Sequence, residues 1–124
     1  MIVGIGIDIL EIGKLKRIIK SGRSEFLDKI FTKNEIDYAK NKRGIKNLAT
    51  AFVAKEAVFK CLNLAARFPV CFKEIEILRD KNGRPRARLS GKLVKKFPTK
   101  RFRLFISMTY TEKLAVASAF LEKI

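Results

Sequence analysis

Two short segments hold the residues best suited to chemistry. In the first, Val3, Ile5, Ile7 and Ile9 alternate with Gly4, Gly6, Asp8 and Leu10. A period of two with β-branched residues on one face marks a strand, its apolar side expected inward. Asp8 then shares the other face with two glycines, leaving bare backbone beneath a carboxylate where a ligand could come close. The competing role for this Asp is to cap the following helix. In the second segment, Leu48, Phe52, Lys55, Phe59 and Leu62 trace one stripe of a helix predicted over Asn47–Leu62. Lys55 interrupts that stripe, and a charge there must reach water or find an anion. Glu56 lies at the edge of the stripe, with Lys60 one turn further on the same side. Lys-Glu-x-x-x-Lys thus offers a carboxylate for a cation and two ammonium groups for phosphate. An ordinary surface pair between Glu56 and Lys60 is the plainer reading, and it leaves Lys55 unexplained.

Other chemistries are poorly served. The chain has no His, and Cys61 and Cys71 match no zinc spacing and form no disulfide scaffold. Both lie beside apolar residues, which suggests buried free thiols in a reducing, cytosolic setting. The first residues lack a basic leader, and no stretch approaches the ~20 apolar residues of a membrane span.

The elements that position these groups follow from pattern. After the first strand, a helix is predicted over Glu11–Lys20, with Ile12, Leu15, Ile18 and Ile19 buried and Ser21-Gly22 as its stop. Phe26, Leu27, Ile30 and Phe31 predict a short apolar helix, and Thr32-x-x-Glu35 a capping box opening the next. Past the long helix come a strand over Phe72–Leu78, turn residues Asp80-Lys81-Asn82-Gly83, and a return strand over Arg84–Leu89. Ser90 is placed to cap a helix through Phe97. Phe102–Ser107 and Leu114–Leu121 read as a terminal hairpin. Helices in the first half and antiparallel strands in the second give an α+β plan, one domain over 1–124.

At 124 residues, 28 Lys plus Arg face 12 Asp plus Glu, a formal net charge of +16. Such a charge draws anionic partners: phosphate-rich cofactors, acidic proteins, nucleic acid or anionic membrane. Lys14, Lys16, Arg17, Lys20 and Arg23 form one basic cluster, and Lys92, Lys95, Lys96, Lys100, Arg101 and Arg103 form another. Two separated clusters suggest more than one anion to hold. A basic nucleic-acid-binding module is the rival from another class, with Phe102-Arg103-Leu104-Phe105 as its best segment.

Gly4-Ile5-Gly6-Ile7-Asp8-Ile9-Leu10-Glu11-Ile12 resembles the opening strand of the holo-acyl-carrier-protein synthases, small 4'-phosphopantetheinyl transferases. Phe52-Val53-Ala54-Lys55-Glu56-Ala57-Val58-Phe59-Lys60 resembles that family's second signature. The likeness continues at Phe72–Ile77, at Asp80 with Gly83-Arg84-Pro85, and at Ile106-Ser107-Met108-Thr109, in family order over essentially the whole chain. The resemblance implies the fold of that family and transfer of phosphopantetheine from coenzyme A to a serine of apo acyl carrier protein. It implies Mg2+ on Asp8 and Glu56, with Lys60 and Lys55 cradling the diphosphate. The serine proton would go to Glu56 or to a water on the ion, the water being favoured because Glu56 already serves the ion. It also implies a homotrimer with sites between subunits, one giving Asp8 and Glu56 and its neighbour giving Gly83, Arg84, Pro85, Ser107, Met108 and Thr109. Lys14 and Arg17 would meet the carrier protein, and neither nucleic acid nor membrane is then a partner. The chain departs from the family at Met108, where His is usual, at Ala51, where Arg is frequent, and in Asn63-Leu64-Ala65-Ala66-Arg67, which replaces a Gly-rich turn. Arg43, Lys46 or Arg67 could compensate. A relative that binds coenzyme A without transfer is the alternative these departures suggest.

Overall fold

The computed structural model describes residues 1–21, 24–41, 43–64 and 71–124. Strand β1 (Ile2–Glu11) leads into α1 (Ile12–Lys20), α2 (Ser24–Ile30), α3 (Lys33–Asn41) and the long α4 (Ile45–Cys61). A single 3-10 turn (Phe72–Glu74) opens β2 (Ile75–Arg79), followed by β3 (Pro85–Leu89), α5 (Gly91–Lys96), β4 (Phe102–Tyr110) and β5 (Leu114–Lys123). The order of elements is the α+β plan that the pattern predicts. Gly22 and Arg67 lie outside the described residues. Among those described, no helix is long and apolar enough to cross a membrane.

Two antiparallel sheets form among the described residues. The larger has the order β1-β5-β4, and the smaller is the β2-β3 hairpin. Asp80 closes that hairpin: its Oδ1 accepts the N–H groups of Asn82 (2.8 Å) and Arg84 (2.9 Å), and Gly83 takes a φ of +82° that side chains rarely tolerate. The capping box also forms, Thr32 N–H reaching Glu35 Oε1 and Glu35 N–H reaching Thr32 Oγ1. Ser90 stands at the N-cap of α5 but its hydroxyl caps nothing; Glu74 accepts the Leu93 N–H instead.

The larger sheet is turned the other way from the expected one. Ile5, Ile7 and Ile9 are 64 %, 62 % and 60 % exposed, while Gly4 and Gly6 are buried. The cause is α4, which lies across the glycine face. Small residues let the two backbones approach, and Ala115, Ala117 and Ala119 of β5 continue the same flat surface. A Cβ on Gly4 would stand 2.0 Å from the Cys61 carbonyl oxygen, and one on Gly6 1.9 Å from that of Ala57. These glycines seat a helix, not a ligand. Gly6→Ala is therefore expected to destabilise by about 3 kcal/mol or more, the upper end of overpacking costs, read as a lower urea midpoint.

Burial on α4 is correspondingly broad. Ala49, Val53, Ala54, Ala57 and Val58 are fully inside, in addition to Lys55 from the expected stripe. Phe52 joins Phe26, Phe31 and Phe72 in a cluster of tilted rings 6.1–6.5 Å apart. Cys61 closes the packed end of the helix, and its burial pushes the thiol up to about 11. Cys71 is exposed, which corrects the expectation of two buried thiols. Iodoacetamide at mildly alkaline pH should add one alkyl group to the native chain and two to the denatured chain, by intact mass. Two rapid additions to the native chain would contradict the packing of Cys61.

Candidate active site

Close packing of β1 on α4 also assembles the polar site. With Gly6 against the Ala57 carbonyl, Asp8 comes alongside the C-terminal half of α4. There its Oδ1 lies 3.0 Å from Lys60 Nζ, and the same ammonium donates to the carbonyl of Ile7 at 3.1 Å. Glu56 stands near both. Burial, then the charge of Asp8, raise its carboxyl above the ordinary range, while Lys60 pulls the other way. Asp8 is no helix cap, since Glu11 occupies the N-cap of α1. Nor is Lys60 simply a partner for Glu56, because its contacts go to β1.

A Glu56 carboxyl whose ionisation burial and the Asp8 charge disfavour, with the Lys60 ammonium beside the pair, forms a site that another cation would relieve. No group of three or more His, Cys, Asp or Glu gathers among the described residues. A hard divalent ion such as Mg2+ suits a pair of carboxylates, since it keeps waters and takes further oxygens from phosphate. The donor set fits that ion.

Lys55 does not belong to this site, which corrects its assignment to phosphate. Its ammonium is wholly buried and pairs with Glu35 Oε1 at 2.7 Å. Its remaining donors go to the carbonyls of Ile75 (2.8 Å) and Phe72 (3.1 Å). With all three N–H groups used, none is left for a ligand. Desolvation lowers the Lys55 pKa, and Glu35 only partly opposes it. An anion was needed, as the stripe implied, and the chain itself supplies it. Glu35 and Glu76 are both buried, and no pattern in the sequence marks either as part of the Lys55 network. The capping box drew attention to Glu35 only as a helix-end residue.

Gly83 and Met108 meet elsewhere, in a cleft of about 460 Å3 lined also by Ala51, Tyr38, Asn47 and Lys81. In the sheet register, Asp8 faces Ala117, and Ala117 faces Met108. Two strand spacings therefore separate Asp8 from Met108, roughly 10 Å. Ser107 and Thr109 point to the outer, exposed side of β4. Arg84 and Pro85 border a groove of about 570 Å3 between β3 and β4. Within one chain the carboxylate pair and the Gly83–Met108 cleft are thus distinct places. Lys14 and Arg17 are exposed on α1, and Arg17 reaches a shallow hollow with Phe26 and Lys29 of α2. Of the cations considered as compensators, Lys46 bonds Glu112 at 2.6 Å and stacks with Arg43 against Tyr110.

Known proteins share both sequence and fold. A profile of the 4'-phosphopantetheinyl transferase superfamily matches residues 4–116. The holo-[acyl-carrier-protein] synthase of Clostridium botulinum (strain Eklund 17B) is 42 % identical over 125 residues, covering 100 % of both chains. That of Clostridium beijerinckii is 39 % identical over 126 residues, again covering 100 % of both. Among solved structures, the holo-[acyl-carrier-protein] synthase of Neisseria meningitidis superposes with a TM-score of 0.88 at 30 % identity, covering 99 % of this chain and 100 % of that one. The Bacillus anthracis enzyme, solved in complex with CoA (3',5'-ADP), gives 0.82 at 31 % identity, with 100 % and 99 % covered. The carboxylate pair thus sits in a fold that these synthases share over their whole length, and the chain belongs to the 4'-phosphopantetheinyl transferase superfamily, alongside the holo-acyl-carrier-protein synthases, and is a transferase.

Proposed function

We propose that the chain transfers 4'-phosphopantetheine from coenzyme A to a serine of an apo acyl carrier protein, with Mg2+, releasing adenosine 3',5'-bisphosphate. The convergence of Asp8, Glu56 and Lys60 where β1 crosses α4 is the observation that carries this reading. The serine oxygen forms a bond to the phosphorus that bears pantetheine. The bond from that phosphorus to the bridging oxygen of the diphosphate breaks, adenosine 3',5'-bisphosphate leaves on that oxygen, and the serine proton passes to a water in the site, Glu56 being committed to the ion. Asp8 and Glu56 would hold the ion, and Mg2+ bound there would supply charge neutralisation for the phosphates and for the leaving oxygen. Lys60, half-exposed, turns its remaining N–H toward the same phosphates and keeps Asp8 oriented.

The working form is a homotrimer. Ile5, Phe120 and Phe105 lie in one row across the outer sheet face, flanked by Ile7 and Ile9. A contiguous apolar surface of this kind marks an interface. Packing copies through it brings the carboxylates of one chain toward the Gly83–Pro85 and Ser107–Thr109 segments of the next. The basic face of α1, with Lys14 and Arg17, receives the acidic carrier and speeds encounter.

The direct test incubates the chain with coenzyme A, Mg2+ and apo carrier protein and weighs the carrier. A gain of one phosphopantetheine group, abolished by chelation, is expected. Binding of coenzyme A with no change in carrier mass would overturn the reading in favour of a noncatalytic relative. Salt-sensitive RNA or DNA binding with neither would favour a nucleic-acid module.

A further inference from the structure

Glu35 and Lys55 form an ion pair that the transfer chemistry leaves unused. They are 5 % and 0 % exposed. A buried pair is weak evidence for stability, since apolar replacements often serve as well. What sets this one apart is the number of elements it joins. Glu35 Oε1 takes the Thr32 N–H at the start of α3 and pairs with Lys55 of α4, while Oε2 takes the Ile77 N–H of β2 at 2.8 Å. Lys55 in turn holds the carbonyls of Phe72 and Ile75, at the entry to the β2-β3 hairpin. Beside it, Glu76 accepts from Thr32 Oγ1 and Asn34 and pairs with Arg88 of β3, so both strands of the hairpin are tied to α3.

The two ends of this group lead to the two halves of the site. Lys55 immediately precedes Glu56, so anchoring it fixes the rotation of the turn that presents the carboxylate. Glu35 and Ile77 line the cleft that Gly83 and Met108 share. Hydrogen bonds of fixed direction set such an offset where apolar contacts would allow slip.

We propose that the Glu35–Lys55 pair is a positioning element that locks the Glu56-bearing turn of α4 and the Gly83-bearing hairpin at one offset within each chain. This rests on the reading above, under which a chain gives its carboxylates to one site and its hairpin to the next. A loosened offset is then felt at two sites at once.

The test compares Lys55→Met, Glu35→Gln and the double variant with the wild-type chain. Hydrogen exchange on the free protein should quicken about tenfold or more around Glu56 and over residues 80–85 together. At a temperature where every variant is folded, the KM for coenzyme A and the Mg2+ midpoint should both rise about tenfold or more. The double variant removes the buried charges, so its melting temperature should recover relative to Lys55→Met, yet exchange and kinetics should stay impaired. A double variant that returns to wild-type exchange and kinetics as its melting temperature recovers would show a purely stabilising role and overturn the proposal. A wild-type chain that transfers nothing would instead overturn the proposed reaction, and the exchange comparison would still decide whether the pair locks the two halves.

Discussion

Glu56→Gln should abolish Mg2+-dependent transfer while leaving the free protein at least as stable as the wild type. Losing a group in the outer shell of a metal site typically costs 10–100-fold, so losing a direct ligand should cost about a hundredfold or more in kcat/KM. The stability half follows from the sign of the Glu56 shift. Burial and Asp8 raise its pKa in the folded state. Between the unfolded and folded values the native chain binds more protons than the unfolded one, so stability falls as pH rises through that window. Above that window the ionised Glu56 therefore works against the fold, and the neutral amide removes that opposition. Melting curves of the metal-free proteins at pH 7 check this, and a clearly lower melting temperature for the variant would contradict the strained carboxylate pair. The same shift predicts the acid limb of the pH–rate profile. Transfer should fail as pH falls through the raised Glu56 value, earlier than for an ordinary carboxylate, and more Mg2+ should move that limb to lower pH by competing with the proton. Should Glu56→Gln keep its Mg2+ affinity and still lose turnover, the serine proton belongs to Glu56 itself.

That the sequence marks Asp8, Glu56 and Lys60, which the fold brings together, but not the partner of Lys55, has a physical explanation. A carboxylate flanked by glycines on one face, and a Glu–Lys pair one turn apart, are local patterns that survive whichever way the strand faces. The facing itself was not local. Four β-branched residues on one side of β1 favour burial, yet that side stays exposed because the glycine side admits α4 to van der Waals contact. Side-chain size, more than hydrophobicity, decided which face the helix could reach. Lys55 was a failure of a different kind. Cost alone required an anion beside it, but the one it pairs with is twenty residues earlier, on a different helix, where only the folded chain brings it near. The hairpin and its Gly83 turn were readable because Asp-x-x-Gly specifies a turn through its own hydrogen bonds. The separation of the Gly83–Met108 cleft from the carboxylates could only come from the sheet register.

That separation bears on the second large effect. If the exposed sheet face is the trimer interface, Ile7→Asp places a carboxylate in it, and the chain should become monomeric and lose transfer together. Light scattering and the carrier mass assay read the two. Loss of activity in a dispersed chain does not by itself say where the sites are, and mixing does. Asp8→Asn spoils the proposed metal half and leaves the hairpin intact. Gly83→Val spoils the hairpin, since a β-branched residue is strained at a φ of +82°, and leaves the carboxylates intact. Each variant alone should be nearly inactive. Co-refolded in equal amounts, a cyclic trimer with sites between chains pairs an intact metal half with an intact hairpin at about one site in four. The mixture should therefore recover about a quarter of wild-type activity. Sites built within single chains admit no such rescue, and a mixture as inactive as its parents would place both halves in the same subunit.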